Sequence, residues 1–284
     1  MKNTVKKVNN DIFMFFLYSF GLLFLSTILF TATSNAQRDE GTVSGIWTFD
    51  DGTANDTSNQ SLNGILVGKP KSVAGIAKKA FEFNGQSDGI KIPDSARINI
   101  TNIITNRTIG ALFNCSNVNK KEKQVIFEEG GRTRGLVIYV HDGKVYAGGW
   151  NRAEYNWQGE WLSANIKSNQ WYHVGLVIRD ASGKIEKDKF EMWLDGKLHD
   201  KVDGGQLHPH GDDNGIGFVN QNTVYHDDAG GGTNIDWFGG MIDEVVIYNS
   251  AFNVGDFAQL AGALNVEPEE KFTTMWAKVR NNRF

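Results

Sequence analysis

From Gly41 to Tyr248 the sequence is a succession of short apolar runs broken by turn residues, with no helical pattern alternating between them. Runs over 43–49, 79–84, 89–92, 107–113 and 124–128 read as strands. Those over 135–140 and 144–150 flank Asp142-Gly143, a two-residue hairpin signal, because both turn positions need a positive φ. Alternation places Leu136, Ile138 and Val140 on one face of that hairpin and Val137 and Tyr139 on the other. The runs 171–179 and 189–194 are joined by the polar stretch 180–188, and Asp195-Gly196 marks the next tight turn. Runs over 216–219 and 241–248 complete the set, and only 254–262 reads as a helix. This order predicts an all-β fold, an antiparallel β-sandwich of the jelly-roll kind with a short C-terminal helix.

Composition narrows the function classes. The 32 Gly, 18 Phe, 8 Trp and 7 Tyr suit turns and half-buried strands. A single Cys, Cys115, excludes an internal disulfide framework and a Cys-based zinc cluster, and reads as a buried strand residue. The net charge of −4 argues against a nucleic-acid partner, and no nucleotide-binding loop or catalytic-triad signature is present. At the N-terminus, Lys2, Lys6 and Lys7 precede the uncharged stretch 12–30, and Ser34-Asn35-Ala36 offers the small residues that a signal peptidase reads. This predicts a signal peptide over 1–36, cleaved near Ala36, and a secreted or cell-surface protein. The alternative is an uncleaved anchor, since such a stretch is just long enough to span a bilayer. One β domain is expected over 37–262, followed by a tail over 263–284 in which Trp276 packs against the sandwich.

Three segments in this order, GIWTFDDGTANDTSNQSLNGILVG with KAFEFNGQSDGIKIPDS, NQWYHVGLVIRD with KFEMWLDGKL, and FGGMIDEVVIYNSAF, resemble the laminin-G-like jelly rolls of the concanavalin A-like lectin/glucanase superfamily. They cover about 43–262. The residues themselves agree: Trp47 and Phe49 alternate with Thr48 and Asp50, and Tyr172, Val174, Leu176 and Ile178 form the more apolar face of their strand, expected in the core.

The superfamily includes hydrolases and lyases, so catalytic patterns matter. A retaining glycosidase needs two carboxylates about 5–5.5 Å apart on one side of the sugar. The glucanase members supply them from an E-x-D-x-E-like run, which this chain lacks. Glu128 and Glu129 are adjacent, so a regular strand points them to opposite faces. The lyase-like set of Arg134, Tyr139 and His141 comes without the fingerprints of those enzymes. The reading is therefore a binding module without catalysis, with a polysaccharide hydrolase or lyase of the same fold as an alternative.

The resemblance also implies a structural calcium ion between the first and last strands. The loop carrying Asp50, Asp51, Asp56 and Asn59 supplies oxygens of the kind calcium takes, and Asp243 lies in the closing segment. Asp50, Asp56, Asn59 and Asp243 are the candidate ligands, and the alternative is an Asx-rich turn without metal. For a glycan, the cluster Trp150, Asn151, Arg152, Tyr155, Trp157 and Trp161 reads as an aromatic loop whose rings are hard to bury completely. A later loop, 208–237, is rich in His, Asp and Gly. Its His226 and Asp227 join the candidate sugar contacts, while His208 and His210 carry no zinc motif. The expected partner is a polysaccharide or glycan, with a cell-surface protein as the alternative.

Overall fold

The computed structural model describes residues 42–76, 78–100 and 103–261. The expected signal peptide over 1–36 and the expected packing of Trp276 in the tail fall outside the described residues. The strands in chain order are β1 (Val43–Trp47), β2 (Ile65–Val67), β3 (Lys71–Ala74), β4 (Lys79–Asn84) and β5 (Gly89–Ile92). Next come β6 (Arg107–Cys115), β7 (Gln124–Gly130), β8 (Arg134–His141), β9 (Lys144–Asn151) and β10 (Trp157–Asn165). The last are β11 (Trp171–Ile178), β12 (Glu186–Leu194), β13 (Lys197–Gly204), β14 (Asn214–Ile216) and β15 (Gly239–Tyr248), followed by helix α1 (Val254–Ala261).

They form two sheets in which every named strand pair is antiparallel. The first sheet runs β13-β12-β11-β6-β15-β4-β3, with β1 also paired to β15, and the second runs β10-β9-β8-β7-β14-β5-β2. Hairpins arise where the sequence placed its turn signals. Asp142 and Gly143 both have positive φ (48° and 73°), as do Asp195 and Gly196 (48° and 78°), the geometry that matches the twist of the flanking strands.

The inter-sheet core takes Leu136, Ile138 and Val140 from β8 and Tyr172, Val174, Leu176 and Ile178 from β11, the faces that alternation singled out. Each such aliphatic or aromatic chain contributes about 1.5–3 kcal/mol by leaving water. Two boundaries differ from expectation for backbone reasons. Phe49, at φ 55°, already belongs to the turn after β1, and Gly217, at φ 81°, ends β14 before Val219.

Two further apolar clusters lie outside this core, one on the outer face of each sheet. On the first, Ile46, Val177, Trp193, Val246 and Tyr248 pack beneath Phe252 and Phe257, so α1 and its lead-in form the cover. Gly175 is required here, because a Cβ would collide with the Phe257 ring. On the second, Val125, Val137, Tyr139, Tyr146 and Trp150 pack beneath Val219, Val224 and Tyr225, with Trp161 and Ile235 at the margin.

Candidate functional site

The segment between Trp150 and Trp161, expected as an aromatic loop, is the end of β9, a turn and the start of β10. A bulge decides which of its rings reach solvent. Trp157 pairs with Asn151 and Glu160 with Gly149, so β10 carries one extra residue between these two pairs. In a regular strand Trp157 and Trp161, four apart, would share a face. The bulge, where Gly159 takes a φ of 128°, turns them to opposite faces instead. Trp157 therefore enters the inter-sheet core, 2% exposed and edge-on to Phe190 at 5.5 Å between ring centroids. Trp161 lies on the outer face of the second sheet, partly open to solvent.

The other candidates divide in the same way. Trp150 is fully buried, its Nε1 donating to the Gly131 carbonyl at 2.9 Å, and Asn151 is buried with its Nδ2 donating to the Gln206 carbonyl. Trp150, Asn151 and Trp157 thus present no surface to a ligand, a correction to the expected aromatic loop that follows from strand pairing. Tyr155 leans on His208, its hydroxyl 3.1 Å from Nε2. Arg152 reaches outward, donating to Asp228 at 2.7 Å and to the Gln158 carbonyl.

Trp161 is held flat. A Cβ at Gly148 or at Gly159 would collide with its indole, so both glycines form its bed. Its ring stacks at 6.4 Å and 19° on Trp150, and its Nε1 donates to the Val224 carbonyl at 3.3 Å. That carbonyl belongs to the loop over 219–237, which continues through Tyr225 to His226, Asp227 and Asp228. The His226 ring stacks on Tyr146 at 4.4 Å and 11°, and its Nδ1 lies 2.6 Å from the Tyr139 hydroxyl, which also accepts the His226 backbone N–H. Burial, aided by His141 and Lys123, lowers the pKa of His226 although Asp227 opposes it. Lys123 pairs with Asp227 at 2.8 Å and lies over the Tyr225 ring. Trp161, His226, Arg152, Asp227 and Asp228 thus form one connected strip, aromatic at its centre and charged at its rim. Sequence reasoning missed Tyr146 and Lys123, which no motif marks.

The carboxylates read for catalysis and for metal are also placed. Glu128 lies in the row of Val137 on the outer face, and Glu129 in the row of Leu136 on the core face; both are buried. Burial raises Glu128 well above the usual carboxylate range, although backbone N–H groups of Asn220 and Gln221 oppose this. Burial also pushes Glu129 upward, but the Arg107 guanidinium at 3.0 Å and His210 outweigh it and hold the carboxyl low.

Near β1 and β15, Asp50 and Asp243 are neighbours. Asp243 sits where the β15–β6 register shifts, and burial, with the Asp50 charge, raises it well above its ordinary value. Asp50 Oδ1 and Asp243 Oδ2 are buried without a hydrogen-bond partner, and a Cβ on Gly75 would sit 2.6 Å from the latter. Two orphaned carboxylate oxygens against backbone fit a hard cation completed by carbonyls. Asp56 is used differently: its Oδ1 accepts the N–H groups of Ile46 and Ser58, and its Oδ2 that of Leu62. Asn59, at φ 68°, shapes the same turn. Among the described residues, no three His, Cys, Asp or Glu side chains converge as a metal cluster.

The sandwich and its closing strand are those of a known family. The chain belongs to the Laminin_G_3 family of the concanavalin A-like lectin/glucanases superfamily, whose model matches residues 84–256. No curated protein matches it. Among solved structures, domain 4 of AbnA, an extracellular GH43 arabinanase from Geobacillus stearothermophilus determined with arabinotriose, superimposes with a TM-score of 0.56 at 16% identity, covering 78% of this chain and 98% of that one. The binding domain of Paraclostridial Mosquitocidal Protein 1 gives 0.60 at 15%, covering 79% and 53%. The receptor binding domain of botulinum neurotoxin C/D mosaic serotype gives 0.59 at 14%, covering 79% and 52%. The chain thus spans about half the length of these two toxin domains, and the likenesses concern the fold.

Proposed function

We propose that this protein is a secreted, non-catalytic carbohydrate-binding module that holds a glycan against Trp161 and His226 on the outer face of the second sheet. The observation that carries this reading is the indole of Trp161, laid flat on two glycines, partly open to solvent and flanked by Arg152, Asp227 and Asp228. Sugars present apolar C–H faces beside hydroxyls, so a flat ring with charged neighbours meets both kinds of surface. The arabinotriose in the structure of the similar arabinanase domain makes arabinan a first ligand to try. Binding without hydrolysis is supported by Glu128 and Glu129, which are buried on opposite faces of β7 and do not face one substrate together.

Calcium bound between Asp50 and Asp243 would tie β1 to β15 and stabilise the sandwich without entering the sugar site. The likeness to toxin receptor-binding domains supports a second reading, attachment to a cell-surface protein. Affinity electrophoresis of the wild type and Trp161→Ala through gels containing arabinan and other polysaccharides separates the two. Retardation of the wild type that Trp161→Ala loses supports the glycan reading; free migration in every gel sinks it and leaves the protein partner.

A further inference from the structure

We infer that the protein has a second ligand site, a polar cleft that takes a single neutral sugar residue through its hydroxyls. The cleft, about 310 Å³, lies between the β7–β8 turn, the approach to β14 and the start of the 219–237 loop, and its lining includes Arg132, Arg134, His210, Asp212, Gln221 and Asn222. This volume stands at the low end of small-molecule sites, which span about 300–1,000 Å³, so it suits one ring rather than a chain.

The lining is built and rigid. The Arg134 guanidinium donates to the Pro209 carbonyl at 3.0 Å and pairs with Glu154 at 3.1 Å. Trp150 Nε1 ties down the Gly131 carbonyl, and the Arg152 backbone N–H donates to the Thr133 carbonyl. Behind the lining, Arg107 and Glu129 form an ion pair at 3.0 Å with both side chains fully buried. His210, its side chain only 3% exposed, pairs through Nε2 with Glu129 Oε1 at 3.4 Å, while its Nδ1 is buried without a hydrogen-bond partner. A buried imidazole at a cleft wall with its Nδ1 unmatched leaves one polar atom there to be satisfied.

The polar groups decide the ligand class. Arg132 offers a guanidinium and Asp212 a carboxylate, and no ion pair joins them to each other or to another described side chain. Gln221 and Asn222 each both donate and accept. No Trp, Tyr or Phe lines the cleft among the described residues, so the lining has no platform of the Trp161 kind. A ligand must therefore present donors and acceptors on adjacent atoms, as the vicinal hydroxyls of a sugar do: one accepts from Arg132 while its neighbour donates to Asp212. The ligand class rests on the glycan reading above, whereas the site is separate from the Trp161 strip.

The test is an NMR titration of the full chain, labelled at its amides, with the methyl glycosides of arabinofuranose, glucose, galactose and mannose. At least one should give saturable shifts at residues 131–134, 210–212 and 221–222. Asp212→Ala and the exposed Arg132→Ala should each weaken it at least about tenfold, while Trp161→Ala leaves it unchanged. Saturable shifts confined to the Trp161 strip, no saturable shift with any glycoside, or wild-type affinity in both cleft variants would overturn the inference. Trp161→Ala also keeps the two readings apart: if it still binds polysaccharide, the strip fails alone, and if the cleft shifts are missing, the cleft fails alone.

Discussion

The two outer faces of the sandwich are covered in opposite ways. On the first sheet, α1 presses Phe257 between Trp193, at 4.6 Å, and His173, at 5.6 Å, in a largely apolar interface. His173 is buried there without a hydrogen bond from either nitrogen, and burial pulls its pKa down to about 3. On the second sheet the cover is a loop rather than a helix, and it is pinned by hydrogen bonds. Tyr225 donates to Asp236 at 2.6 Å, Trp161 to Val224, and Tyr139 meets His226. An apolar helix yields stability from area alone, whereas a loop held by polar contacts leaves charged and aromatic groups facing water.

The largest expected effect lies on the helix-covered face. Phe257→Ala should cost about 3–5 kcal/mol of stability, measured by denaturant unfolding, because it empties a filled site. A loss well below that would mean that α1 is not an integral cover. Next comes acid. The unfolded chain protonates His173 near 6.5 while the folded one does so near 3, so its contribution is intact above pH 6.5 and is lost as pH falls toward 3. By pH 4.5 this amounts to about 3 kcal/mol. His173→Leu should flatten that part of the pH–stability curve, and an unchanged slope would place the titration elsewhere.

Calcium should raise the melting temperature of an EDTA-treated sample, through about 2–3 kcal/mol of added stability at free calcium about 100 times its Kd. Asp243→Asn should abolish the rise; equal melting with and without calcium in the wild type would remove the metal from the account. The smallest effect separates packing from binding on the second face. Gly148→Ala should displace the indole of Trp161 and weaken glycan binding about tenfold, about 1.4 kcal/mol, with its retention in affinity gels as the readout.

Much of the fold was legible in the sequence because a two-residue period survives wherever one face of a strand is buried. The β8–β9 hairpin, β11 and β15 all carried that signal, and α1 carried its own. The strands β2, β3 and β13 did not, since they lie at sheet edges and expose most of their residues. The site was legible only in part. Composition pointed to the segment Trp150 to Trp161, but a one-residue bulge, invisible in the spacing of the tryptophans, sent Trp157 inward and Trp161 outward. Asp56 shows the same limit, because its oxygens read as metal ligands until the turn claimed them for backbone N–H groups.

The most direct test of the central claim is to measure the affinity of the wild type, Trp161→Ala and Phe257→Ala for a polysaccharide that retards the wild type. The account predicts that Trp161→Ala weakens binding at least about tenfold with little change in melting temperature, while folded Phe257→Ala binds as the wild type does. Undiminished binding by Trp161→Ala would contradict it.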